Sequence, residues 1–296
     1  MKVMKGILAG KVAVITGGTR GIGLAIAEAY ARQGAHIAVS SRSAEAVKVA
    51  VEGLRDDTDQ VIGQVCDVRD RAQIQELSDV TLQHYHRIDI WVNNAGISGP
   101  YGPTIEISPE RFAYVVHTNI LGVYYGSMTA VLQFSSQNSG KLINVVGRGA
   151  RGPVPYQNAY ASSKAWVRSF TLALAEELEE SGIGVYVLSP GMALTDMLQR
   201  PEVVEGNEGR LGDRYKTVLR MWSGPPDNVG EAAVWLASPA TDGRTAIDRR
   251  LLTPPRLIAG MLGEAARRLL GRASPSIEVS PTIIPAWKPP SSRREE

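Results

Sequence analysis

The sequence predicts an α/β fold of Rossmann type: a doubly wound, mostly parallel seven-stranded sheet in a single domain with a C-terminal extension. Three observations predict it. Short β-rich apolar runs alternate with amphipathic stretches of helical period, the pattern of βαβ units around a sheet buried on both faces. A glycine-rich turn stands between the first such run and the first helical stretch. Hydrophobic residues make up 44% of 296 residues, enough for one sizeable core, and α/β domains of this length stay undivided.

The elements follow in order. Residues 11–16 read as the first strand, and 24–33 as a helix that Gly34 stops. Residues 36–40 are the second strand, 44–55 a helix, 61–65 a strand, 71–84 a helix and 88–92 the fourth strand. A long helix is predicted over 111–132, a strand over 141–146, a helix over 160–181 and a strand over 184–188. The less regular stretch 192–224 reads as a substrate lid before a short helix at 229–237. The domain is placed at 1–252, with an added helix to residue 272 whose apolar stripe (Leu257, Ile258, Met261, Leu262, Ala265, Leu269, Leu270) should face its own domain or a second copy. Residues 273–296 are proline-rich, and an extended or disordered tail is expected.

Composition narrows the function. Lys+Arg (32) nearly balance Asp+Glu (30), for a net charge of +2, so no broad field exists to hold a nucleic acid. The single cysteine, Cys66, can form neither an internal disulfide nor a metal cluster, which fits a reducing, cytoplasmic setting. No signal peptide or membrane-spanning run is read, and a small-molecule substrate without a metal is expected.

The turn Gly17-Gly18-Thr19-Arg20-Gly21-Ile22-Gly23 between strand and helix is a candidate pyrophosphate cradle. Glycines let the backbone turn tightly and approach a phosphate, which then meets the free N–H groups of the helix beginning near Ile22. At the end of the second strand, Ser41-Arg42 stands where an acidic residue would accept hydrogen bonds from an NAD ribose hydroxyl. Arg42, with Arg20 nearby, instead suits a 2′-phosphate, so NADP(H) is favoured over NAD(H).

Four further strings resemble the short-chain dehydrogenase/reductase family in order and spacing: Asn93-Asn94-Ala95-Gly96, Thr118-Asn119, Tyr160-x-x-x-Lys164, and Pro190-Gly191 followed by Thr195. The resemblance implies an oxidoreductase that interconverts a ketone and a secondary alcohol, commonly as a homodimer or homotetramer. It implies that Tyr160 is the acid/base, that Lys164 binds the nicotinamide ribose, and that Asn119 positions a water. It further implies that Asp67 and Val68 contact adenine, that Asn94, Ala95 and Gly96 line the cofactor, and that Thr195 holds the carboxamide beyond Pro190-Gly191. Independently of the family, residues four apart share a helix face, so an ammonium at Lys164 is expected to lower the pKa of the Tyr160 phenol.

One position departs from the pattern. The family places a serine thirteen residues before the tyrosine, and here that position is Gly147. Three readings stay open: a working reductase that draws its donor from Arg148 or a backbone amide, an enzyme of the same scaffold with dehydration or cyclisation chemistry, and a catalytically silent NADP-binding module. Met192, Leu194, Met197, Leu198, Met221 and Trp222, with Val154 and Tyr156, suggest an apolar pocket, and Arg148 and Arg151 an anionic handle.

Overall fold

A computed structural model describes residues 6–270 and 276–289. The chain runs β1 (Val12–Thr16), α1 (Gly21–Arg32), β2 (His36–Ser41), α2 (Ala44–Leu54), β3 (Val61–Val65), α3 (Arg71–Tyr85), β4 (Ile90–Asn93), α4 (Pro109–Val116), α5 (Gly122–Gln137), β5 (Gly140–Val145), α6 (Asn158–Glu177) and β6 (Ile183–Ser189). The 192–224 stretch is not irregular. It holds β7 (Met192–Ala193), α7 (Asp196–Gln199), β8 (Glu202–Val204), α8 (Asp213–Trp222) and β9 (Ser223–Gly224), after which come α9 (Asp227–Ala237), β10 (Ile247–Arg250), α10 (Pro254–Leu269) and β11 (Thr282–Ile284).

Seven strands form one sheet in the order β10-β6-β5-β4-β1-β2-β3, every pair parallel. The order reverses at β1, and ligands of such sheets bind in the crevice at the carboxyl ends beside that reversal. Burial of all five β1 residues explains why the strand reads as an unbroken apolar run. One core packs α1 and α9 on the sheet through Ile26, Tyr30, Val229 and Leu236, and another packs the opposite face through Ile74, Leu77, Trp91, Phe134 and Leu174. Under the crevice lies a buried polar network. Asn93 Nδ2 donates to Asn144 Oδ1 (2.9 Å) and Ser127 Oγ (3.1 Å), while Asn144 Nδ2 donates to Thr171 Oγ1 (3.0 Å). Each group is satisfied, so the network fixes α5 and α6 against β4 and β5.

The predicted 111–132 helix is two helices joined by a π-helical turn at His117–Leu121. Thr118 Oγ1 bonds back to the Tyr114 carbonyl at 2.8 Å, a local alternative to the regular ladder that sequence periodicity does not register. The C-terminal helix also differs from expectation. Its inward face is Leu257, Gly260 and Glu264, whereas Ile258, Met261, Leu262, Leu269 and Leu270 of the predicted stripe point outward. Close packing decides this: a Cβ on Gly260 would lie 2.4 Å from the Met221 carbonyl oxygen, so only glycine lets α10 approach α8 this closely. Arg272 lies outside the described residues. Part of the expected tail is ordered into β11, which pairs in parallel with β8.

Candidate active site

α1 begins without a side-chain cap, in contrast to α2, α3 and α4, where Ser43, Asp70 and Ser108 accept from first-turn amides. Its amides therefore point into the turn before it, the arrangement that receives an anion. Gly17 and Gly21 have φ of +62° and +55°, and a Cβ on Gly23 would lie 2.2 Å from the Gly17 carbonyl oxygen. A Cβ has no room at Gly17 or Gly23, and at Gly21 glycine takes the left-handed backbone without strain. Thr16 Oγ1 accepts from the amides of Asn94 and Ala95, both at 3.2 Å, and so joins the ends of β1 and β4. Asn94 backs the turn with its side chain. Its Nδ2 is taken by the carbonyls of Thr16 (3.1 Å) and Gly17 (3.0 Å), because a turn with outward carbonyls needs a donor behind it.

The other predicted residues divide. Thr195 is brought to Gly21, its methyl 3.1 Å from where a Cβ would stand, and Gly191 turns the chain there with φ +71°. Arg20 is not at the end of β2 but pairs with Asp196 on α7 at 3.5 Å, the acidic group that the first turn of the lid helix presents to it. Arg42 is at the expected place, and its guanidinium donates to the Tyr114 hydroxyl. Ser41 is held locally, Oγ to the Ser43 carbonyl and from the Ser43 amide. The Val68 side chain is core, against Gly122, which leaves its backbone to face the crevice. Asp67 is gripped by Arg69, Oδ2 to Nη2 at 2.5 Å, and this pairing holds its carboxyl below the usual range. Arg151 is not a free handle: Asp248 holds both it and Arg168. The Trp222 indole is tied to α10, its Nε1 donating to the Leu257 carbonyl at 3.1 Å.

Tyr160 and Lys164 rise from the first turns of α6, with Nζ 5.8 Å from the phenol ring centroid. Lys164 is buried, and Nζ donates to the Val145 carbonyl at 3.1 Å. Burial pushes the Tyr160 phenol up to about 12 and the Lys164 ammonium down to about 8. The expected lowering of the tyrosine by the lysine is thus overturned here: desolvation of both groups outweighs their attraction at this separation. Asn119, fully buried, accepts from the Ile97 amide (2.9 Å) and donates to the Ile97 carbonyl (2.9 Å) and Ser163 Oγ (3.0 Å). Its side chain braces the loop after β4, and only its backbone remains for a relay.

Sequence reasoning missed three members of this site. Ser163 donates to the Tyr160 carbonyl (2.7 Å) and receives Asn119, linking α6 to the π-helical turn. Arg69 stacks 4.4 Å above the Tyr114 ring, so two guanidiniums meet one tyrosine beside β2 and β3. The Arg69 position, two after Asp67, was a readable signal; Tyr114 lies on a helix whose break the periodicity hides. Gly147 is also more than a lost side chain. A Cβ there would lie 2.2 Å from the Tyr160 hydroxyl, so the phenol fills the vacated space.

Residues 11–203 match the family model for short chain dehydrogenases. The chain belongs to that family. It is 32% identical over 252 residues to the 3-oxoacyl-[acyl-carrier-protein] reductase FabG of Chlamydia trachomatis, covering 84% of this chain and 98% of that protein. To chlorophyll(ide) b reductase NOL, a chloroplast protein of Oryza sativa, it is 38% identical over 193 residues, covering 62% of this chain and 56% of the relative. The chain thus spans about half the length of the chlorophyll(ide) b reductases it matches. Among short-chain dehydrogenase structures, the 3-ketoacyl-(acyl-carrier-protein) reductase from Brucella melitensis complexed with NADH superimposes with a TM-score of 0.72 at 28% identity, covering 81% of this chain and 97% of that one. A variant of actinorhodin polyketide ketoreductase with NADPH gives 0.73 at 28% identity, covering 83% and 98%.

Proposed function

We propose that this short-chain dehydrogenase is an NADP(H)-dependent reductase that converts the ketone of a hydrophobic small molecule to a secondary alcohol. The carrying observation is that Tyr160, Lys164 and Asn119 meet at the carboxyl ends of the strands, beside the uncapped glycine turn. The reductase names of its relatives support the same reading, as does the NADPH bound in the actinorhodin ketoreductase structure.

The residues fit the dinucleotide. Gly17, Thr19, Gly21, Ile22 and Gly23 form the turn that would receive the pyrophosphate, Ala95 lies against Gly17 and Thr195 against Gly21, and Gly96 stands beside Asn119 and Lys164. A side chain on Gly96 would stand 3.4 Å from Lys164 Nζ, so glycine leaves room beside the lysine. Arg42 supplies a fork for a 2′-phosphate, Arg69 adds a second guanidinium nearby although Asp67 holds its fork, and the end of β2 carries no acidic side chain. When bound, NADPH supplies the hydride.

The protein's own residues handle the proton. Tyr160, protonated at neutral pH, donates from Oη to the oxygen that gains charge as the ketone is reduced. Lys164 sits behind it as the nearby cation, and Asn119 holds the 94–97 loop against α6. Retention of this proton-handling set favours a reductase over a silent binding module, which has no chemical use for it.

Calorimetric titration with NADPH and NADH, followed by NADPH oxidation against a panel of hydrophobic ketones, tests the reading. Arg42→Met is expected to weaken NADPH binding about tenfold, the scale of a lost charge-assisted contact, with NADH unchanged. Equal binding of the two cofactors by the wild type would overturn the NADP assignment.

A second prediction concerns Gly147. Gly147→Ala is expected to lower kcat about tenfold, because its Cβ displaces the Tyr160 phenol and offers no donor in exchange. Gly147→Ser is expected to turn over faster than Gly147→Ala, and the difference in kcat measures the hydroxyl's contribution. An Ala variant as fast as wild type would show that the phenol shifts without cost.

A further inference from the structure

The lid crosses the mouth of the crevice. At its start Thr195 touches the glycine turn; farther along, the Arg210 guanidinium lies 3.7 Å over the ring of Tyr156, four residues before Tyr160. Tyr156 is held for this contact in a left-handed backbone conformation (φ +67°), which a bulky residue adopts only under constraint. The cover thus runs from the cofactor cradle to the acid/base helix.

The central sheet does not hold that cover; the body grips it at Tyr101, whose amide donates to the Glu202 carbonyl (2.9 Å) and whose carbonyl accepts from Val204 N (3.0 Å). Its middle strand, β8, belongs to a two-stranded sheet apart from the central one, and its partner is β11 from the C-terminal extension. Backbone bonds run along the pairing: Thr282 N to the Pro201 carbonyl (2.9 Å), Glu205 N to the Ile284 carbonyl (2.9 Å), and Ser280 N to the Gln199 carbonyl (2.8 Å). Beyond the strand, Trp287 N reaches the Glu106 carbonyl at 2.8 Å, so the extension also grips the body beside α4. Ile284, 7% exposed, joins Ile107 and Val204 in a small separate core. The other half of the extension, α10, lies on lid helix α8 through the close approach at Gly260 and the Trp222 bond to Leu257.

We propose that the described parts of the extension, residues 254–270 and 276–289, strap the lid closed over the crevice from outside, and so set which substrates it admits. The match to the family model ends at residue 203, before the strap begins. The physical case is that a short lid has few buried apolar contacts and opens readily, whereas this one is bound at α8 and again at β8 by a chain segment anchored to the body. A strapped lid admits slender substrates and slows bulky ones.

The selectivity half of the proposal rests on the reductase reading; the mechanical half does not. Two full-length variants test it: Ile284→Asp, which puts a charge in the small core, and Gly260→Leu, which drives α10 off α8. Hydrogen exchange is expected to quicken tenfold or more across residues 199–222 in each, with the amides of β1, β4, β5 and β6 unchanged. The kcat/KM ratio for a slender over a bulky ketone is expected to fall at least threefold, through KM for the bulky one. Unchanged lid exchange in both variants overturns the strap, and faster exchange with an unaltered ratio overturns its control of selectivity. A wild type that binds NADPH yet reduces neither ketone counts against the reductase reading and the selectivity claim together, while the exchange result still decides the strap.

Discussion

Tyr160→Phe is expected to lower kcat about a thousandfold while NADPH binds as tightly as to the wild type. The size follows from general acid catalysis, which contributes roughly 10²–10⁴-fold, and from the absence at Gly147 of a neighbouring hydroxyl to take over. Phenylalanine keeps the ring that fills the space beside Gly147 and removes only the proton donor, so folding should be intact. Since burial holds the phenol near 12, the wild type should show no loss of reduction from tyrosine ionisation below pH about 11. Single-turnover mixing of NADPH-loaded protein with a ketone separates the chemical step from binding. A Phe variant that retains a tenth of the wild-type rate would assign the proton to another donor and reopen the place of Arg148.

The fold was legible because its cause is local. Buried parallel strands must be apolar throughout, and the helices between them must show one apolar face, so 11–16 and 184–188 declare themselves. The cradle was legible for a related reason, since glycine alone has room at Gly17 and Gly23 and takes the left-handed turn at Gly21 without strain. What stayed hidden depends on contacts between distant segments. The packing face of α10 is chosen by Gly260 against Met221, not by its apolar stripe. β11 is a strand because β8 offers it an edge, and nothing in a proline-rich segment announces a partner eighty residues earlier. The Arg20 side chain goes to Asp196 and that of Asn94 to the carbonyls of Thr16 and Gly17, choices that sequence spacing does not rank. The electrostatics of Tyr160 and Lys164 failed for a physical reason: spacing reports adjacency, whereas burial set the sign of the shift.

That sign carries the last prediction. Lys164 is 4% exposed and has no carboxylate partner among the described residues, so folding must desolvate an ammonium that only the Val145 carbonyl solvates. Its pKa falls from 10.5 to about 8, which corresponds to roughly 3 kcal/mol of destabilisation when the group is protonated. The native state binds fewer protons than the unfolded chain between those two values. The penalty is therefore complete below pH 8 and is relieved as pH rises from about 8 to 10.5. Lys164→Met keeps the volume, removes the charge and leaves one carbonyl unbonded, a cost of about 1 kcal/mol. The variant should be roughly 2 kcal/mol more stable than the wild type at pH 7, an advantage that shrinks and then reverses by pH 10.5, while ketone reduction falls by two orders of magnitude or more. Urea titrations at pH 7 and pH 10 check the first part and steady-state assays the second. Stabilisation without activity would mark Lys164 as a charge kept at the expense of the fold for its chemistry; a variant less stable than wild type at pH 7 would mean that Nζ is solvated better than its single bond to Val145 indicates.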